Sequence, residues 1–243
     1  MVLARFARGD GAAIVIDGVV ALIAVTALVL TAFIGIRAAI DTFRGQNLST
    51  LVGVRLLAPD DVLVTFEDFE LGAPGWSQGR HEAESPGLGG LLGRFGGTGG
   101  REAVSRVYVS PEQRQYALVS FDLHAIDDWD LQDVIVFVNG VEVLRQNFTT
   151  RSEATDRQRS LIADLPWVRT TLRLTERSGV ERGYGAGSPD LADQTLRVRM
   201  VLFQPTDELH IGFGSTLEDE TTDGRSWAVD NLQIVMTDHL PGA

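Results

Sequence analysis

The sequence predicts a mainly β protein, an antiparallel β-sandwich that follows one long apolar N-terminal α-helix. Three observations carry that prediction. Residues Ala12–Ile36, AAIVIDGVVALIAVTALVLTAFIGI, hold one charge in 25 positions, enough for a helix to span a hydrocarbon core of roughly 30 Å. Beyond Pro59 no long stretch keeps a 3.6-residue apolar period, and short alternating runs bounded by Gly, Pro, Asn and Asp take over, as half-buried strands require. Among them, Asn139-Gly140 joins two β-rich runs, and both residue types tolerate the positive φ of a two-residue hairpin turn.

In chain order these signals give a short basic leader over 1–11, the apolar helix over 12–44, a linker over 45–60 and the sandwich over 61–243. A secretory signal would have an apolar region of roughly 7–15 residues ending at a small-residue cleavage site, and none precedes the polar RAAIDTFRGQN, so the helix is expected to stay attached. Arg5 and Arg8 precede it while Arg37 and Arg44 follow it, so positive charge does not set its orientation. Asp17 is the exception inside the apolar run. A carboxylate near the middle of a spanning helix costs a few kcal/mol, so Asp17 either faces a partner or sits near the head groups.

The stretch RFARGDGAAIVIDGVVALIAV has a short basic leader ending in Gly, then a small residue, an apolar run and an early acid. In this it resembles the N-terminus of Flp-type (type IVb) pilins and related pilin-like proteins. The resemblance implies cleavage by a prepilin peptidase after Gly11, which leaves Ala12 first, and an assembly role for Asp17 in a filament. Asp17 is then the sixth residue, one later than the family's acid. On that reading the ammonium created at Ala12 of one subunit pairs with the carboxylate of a neighbour, and pairing is what makes a buried charge tolerable.

Composition narrows the partners. The chain of 243 residues carries a formal net charge of −12 and a pI near 4.7, which argues against nucleic acid and anionic lipid, since both select basic patches. There is no Cys, so disulfides, thiolate nucleophiles and Cys-based zinc sites are excluded. All 21 basic residues are Arg, and that feature is assigned no function.

Within the sandwich region the expected strands are VTFEDFE, YALVSFDLH at 116–124, the two arms of DVIVFVNGVEVLRQNF, TLRLTE, QTLRVRMVLF, ELHIGFGS and SWAVDNLQIVM. The Gly-rich SPGLGGLLGRFGGTGG at 85–100 lacks side-chain bulk and reads as an irregular surface loop. A phosphate cradle is not indicated there, since neither a strand-to-helix context nor a Walker lysine accompanies the glycines.

VTFEDFELGAPGWS at the start of this region and SWAVDNLQI at its end resemble the first and last strands of the jelly-roll sandwiches of MAM-type, laminin-G-like and many carbohydrate-binding modules. The cysteines of animal MAM domains are missing. The resemblance implies a jelly roll whose first and last strands are neighbours, and a structural Ca²⁺ held where their acids converge, with Glu67, Asp68 and Asp230 as ligands. The alternative is that these acids end strands or cap turns. No EF-hand loop is present.

A second acid cluster, HAIDDWDLQDV at 124–134, sets Asp127, Asp128, Asp130 and Asp133 around Trp129. It can hold an ion, offer an aromatic face flanked by carboxylates to a sugar ring, or be a solvated turn with Trp129 tucked into the core. Trp76, Trp167 and Trp227 are expected in the core. His81, His124, His210 and His239 show no metal-ligand spacing and no G-x-S-x-G elbow occurs, so no catalytic residue is assigned and an enzyme is not expected. The expected function is a bacterial surface protein, membrane-anchored or pilin-like, whose sandwich binds a glycan or protein ligand in adhesion. The alternative is a structural filament subunit with the sandwich as outer wall.

Overall fold

The computed structural model describes residues 57–85, 88–149, 157–177, 193–218, 222 and 224–240. The leader, the apolar helix and most of the linker, with Gly11, Ala12 and Asp17, lie outside those residues. The described residues form twelve strands and no α-helix. In chain order they are β1 (Val62–Glu67), β2 (His81–Ser85), β3 (Gly89–Phe95), β4 (Glu102–Val109), β5 (Tyr116–Asp127), β6 (Asp130–Val138), β7 (Val141–Thr149), β8 (Ser160–Ile162), β9 (Val168–Arg177), β10 (Gln194–Phe203), β11 (Glu208–Ser215) and β12 (Arg225–Thr237).

They make two antiparallel sheets, one ordered β2-β3-β12-β5-β10-β9 with β1 also paired to β12, the other β4-β11-β6-β7-β8. The mainly β, sandwich-like expectation therefore holds. Strict alternation explains why the sheets face each other. Val119, Phe121 and Leu123 of β5 and Val198, Met200 and Leu202 of β10 are buried, as are Val134, Val136 and Val138 of β6 and Ile211 and Phe213 of β11. Phe121 and Phe213 meet edge to face at 5.0 Å. Each such side chain contributes about 1.5–3 kcal/mol when fully buried.

The hairpin read from Asn139-Gly140 is present. Val138 pairs with Val141, and the turn residues have φ of 51° and 75°, the left-handed values this turn needs. Asn139 also ties the turn to β11, donating its backbone N–H to the His210 carbonyl at 2.8 Å and accepting the His210 N–H on Oδ1 at 2.9 Å.

The Gly-rich stretch corrects the sequence reading. It contains β3, which pairs with β2 and β12 and carries two side chains, Leu91 and Leu92, with no exposed surface. Its glycines serve close approach: a Cβ on Gly90 would collide with the Phe69 carbonyl, and one on Gly93 would crowd Ala228. Missing bulk here marks tight packing.

β12 sets the long axis of the site. Its end pairs Met236 with Val62, and nearby the Nε2 of His239 lies 2.7 Å from Asp60 Oδ2, so the chain reaches the sandwich at this pole. The start of β12 pairs Trp227 with Phe95. The nine-residue offset along an extended strand separates the two poles by about 30 Å.

Candidate functional site

The pairing of β1 with β12 leaves Asp68 within electrostatic range of Asp230. β1 runs antiparallel to β12, with Glu67 opposite Leu232. Just past β1 the chain bends at Phe69, φ 53°, and β12 bulges between Asp230 and Gln233 with Asn231 at φ 52°. A bulge of this kind re-aims side chains, and Asn adopts left-handed backbone more readily than most residues. Asp230, 6 % exposed, accepts the backbone N–H of Asn231 at 2.6 Å and its side-chain amide at 2.9 Å. The same amide reaches Asp122 Oδ2 at 3.1 Å, and Arg197 clamps both oxygens of Asp122.

Burial pushes the Asp230 carboxyl up to about 8; the backbone N–H of Asn231 works against that rise, while the negative charges of Asp122, Glu70 and Asp68 add to it. One buried carboxyl thus lies in the field of three others. Glu70 was not singled out from the sequence. It follows the bend at Phe69, and its Oε1 accepts the Gly90 N–H at 3.0 Å.

Glu67 departs from the role expected of it. Its oxygens accept Trp76 Nε1–H at 2.8 Å, Arg106 Nη1–H at 2.9 Å, the Tyr108 hydroxyl at 2.9 Å and the Thr65 hydroxyl at 3.2 Å. Four donors occupy both oxygens, so Glu67 does not fit as a calcium ligand. The Tyr108 phenol is held above its ordinary range, first by burial and then by the Glu67 charge. Among the described residues no three or more His, Asp or Glu side chains are arranged to hold a metal ion. Asp68, Glu70 and Asp230 supply the oxygen chemistry that calcium takes, through a shared field and not a formed shell.

Of the readings open for the acidic loop, the structure matches the one with Trp129 tucked into the core, against its role as a ligand-binding residue. Trp129 has no exposed surface. Its indole N–H is shared between the carbonyls of Ile126 and Ser226, each at 3.0 Å, and its ring meets Phe148 edge to face at 5.7 Å. Turning at Asp127 (φ 68°) and Leu131 (φ 66°) folds the indole inward, where its single donor is satisfied. Trp129 therefore has no face for a sugar to stack on. The acids around it do not converge either: Asp127 lies 3.7 Å from Arg94, Asp128 4.0 Å from Arg225 and Asp133 3.4 Å from Arg145, while Asp130 is exposed. Trp76 and Trp227 are core residues as expected, and Trp167 packs partly buried against the core.

No protein-family model, curated protein or solved structure matches the chain.

Proposed function

We propose that the chain is a bacterial envelope protein, held by its apolar N-terminal segment in the membrane or in a pilin-like filament, whose jelly-roll sandwich is displayed outside the cytoplasm and binds a glycan or protein ligand. The observation that carries this reading is Asp230. A carboxyl so buried, in the field of Asp68, Glu70 and Asp122, keeps company with either a proton or a cation. Calcium supplies charge neutralisation to oxygen donors of this kind, and sites of millimolar affinity belong to extracellular modules. Asp68, Glu70 and Asp230 are the acids it would have to draw together, since among the described residues they are not arranged as a metal site. The jelly-roll assignment is supported by the pairing of β1 with β12.

The test is the intact mass of the chain recovered from sheared surface material and from membranes of its host. A chain beginning at Ala12 in the sheared fraction supports filament assembly with Asp17 as an assembly residue. A full-length chain in membranes supports a tether. Recovery from the cytosol alone would overturn display altogether. The burial of Trp129 favours one second reading, a filament subunit whose sandwich is an outer wall without ligand. Blank glycan and protein arrays beside normal filaments would select it.

A further inference from the structure

At the pole opposite the chain's arrival, where β3 crosses over to β4, a cleft of about 380 Å³ opens; Gln78, Arg80, Gly96, Gly97, Arg101 and Glu102 line it. Its volume falls within the roughly 300–1,000 Å³ that hold small ligands. The chain has 33 acids against 21 arginines, and Arg94, Arg106, Arg114, Arg145, Arg197 and Arg225 all lie within 4.0 Å of one. Among the described residues Arg80 and Arg101, like Arg169, Arg173 and Arg199, form no ion pair, and these two line one cleft. Two guanidinium groups in no ion pair among the described residues face this cleft, whose one carboxylate, Glu102, is drawn to His210, and they mark a place for an anion brought from outside.

The cleft is built on fixed backbone. The Gly96 carbonyl accepts the Trp227 indole N–H and the Ser215 hydroxyl, each at 2.9 Å. Thr98 Oγ1 accepts the Ser215 N–H at 2.9 Å and lies 2.6 Å from the Arg101 carbonyl, to which it donates. A Cβ on Gly97 would collide with the Leu217 carbonyl, so the loop lies flush on the sandwich. Arg101 thus rises from an anchored turn, and Arg80 is oriented by donating Nη1–H to the Arg94 carbonyl at 3.0 Å. The remaining guanidinium donors keep the planar fork that matches a carboxylate bidentately.

Glu102 shapes the ligand further. It lies over Gly212 and is 3.2 Å from His210 Nε2. A carboxylate within the cleft repels polyanions and accepts hydroxyl donors, and the Gln78 amide both donates and accepts. Apolar lining is limited to Phe95 and Ala103, which is poor for a hydrophobic side chain. We infer that this cleft binds an acidic sugar, with Arg80 and Arg101 taking its carboxylate and Gln78 and Glu102 its hydroxyls. The inference rests on the proposed display of the sandwich for ligand binding and names the site and ligand class.

The experiment titrates the full-length chain in detergent with tri-galacturonate and with its neutral counterpart, a galactose trimer. The acidic trimer is expected to bind, with the neutral one weaker by about tenfold or more. Arg80→Gln and Arg101→Gln should each weaken the acidic trimer by about tenfold or more while the melting midpoint stays unchanged, because both side chains are exposed. No binding of the acidic trimer, or equal binding by the two variants and the parent, would overturn the inference. Equal binding of a glutamate oligomer would reassign the cleft to an acidic peptide and likewise overturn it. Failed binding by a chain that fractionates to the surface removes this site and leaves display standing. Successful binding by a chain found only in the cytosol does the reverse.

Discussion

Trp76 donates its indole N–H to Glu67 at 2.8 Å, and this bond braces the first strand against the opposite sheet. The same carboxylate accepts from Arg106 and Tyr108 of β4, while the Trp76 ring packs on Phe69 and Phe213 at centroid distances of 6.2 and 5.9 Å. Glu67→Ala would leave four donors without this acceptor. It should lower stability by about 3 kcal/mol, and Glu67→Gln, which keeps one acceptor oxygen, by about half as much. Urea denaturation of the three proteins checks this, and a loss below about 1 kcal/mol for the alanine variant would deny the brace.

Asp230 gives the fold a pH dependence of definite sign. Its carboxyl is raised from 3.8 to about 8 in the folded chain, so between those values the folded state holds a proton that the unfolded state has released. The stability this contributes is complete below the lower value and is lost as pH rises through the upper one. In chelator the parent should therefore lose melting temperature between pH 5 and 8 relative to Asp230→Asn. Parallel profiles for the two proteins would show that Asp230 does not titrate as described.

Calcium should reverse that loss. At pH 8, millimolar CaCl₂ should raise the melting midpoint of the parent, since any ligand of the folded state stabilises it by mass action. For a domain of this size each kcal/mol is worth about 3 °C. Asp230→Asn and Glu70→Gln should abolish the gain, while Glu67→Gln, altered at a carboxylate already taken by donors, should keep it. A midpoint indifferent to calcium in the parent would remove the ion from the account.

Trp129 is expected to matter for stability. Trp129→Ala should cost about 4 kcal/mol through the cavity left behind. Trp129→Phe should cost less, chiefly the N–H bonds to Ile126 and Ser226, about 1–2 kcal/mol. Equilibrium unfolding measures both, and the phenylalanine variant should bind any ligand of the parent with unchanged affinity.

Strands were legible in the sequence where alternation was clean. YALVSFDLH and QTLRVRMVLF became the centrally placed β5 and β10, and Asn139-Gly140 gave its turn because left-handed backbone leaves a mark in composition. β3 was not legible, for Gly90 and Gly93 answer to Phe69 and Ala228, partners far away in sequence. Of the candidate site, the neighbourhood of β1 and β12, which puts Asp68 in the field of Asp230, followed from strand order. The capture of Glu67 by donors 9, 39 and 41 residues away did not, since no local pattern encodes such contacts. Trp129 left its readings open because its neighbours are acids, whereas its burial is decided by two carbonyls that only the folded chain supplies.

The antiparallel seam between β1 and β12 has a mechanical consequence. Its five register pairs run from Val62–Met236 to Glu67–Leu232, and the hydrogen bonds of such a ladder lie perpendicular to the strands. Traction on the segment before Leu57, directed along the strands, therefore stresses all five pairs at once, in shear. A sideways tug would unzip them one after another. A pull on that segment resisted at the far pole would follow the first path, and the seam would yield only by slipping as a whole, with Glu67 pegged to Trp76 as its inner catch.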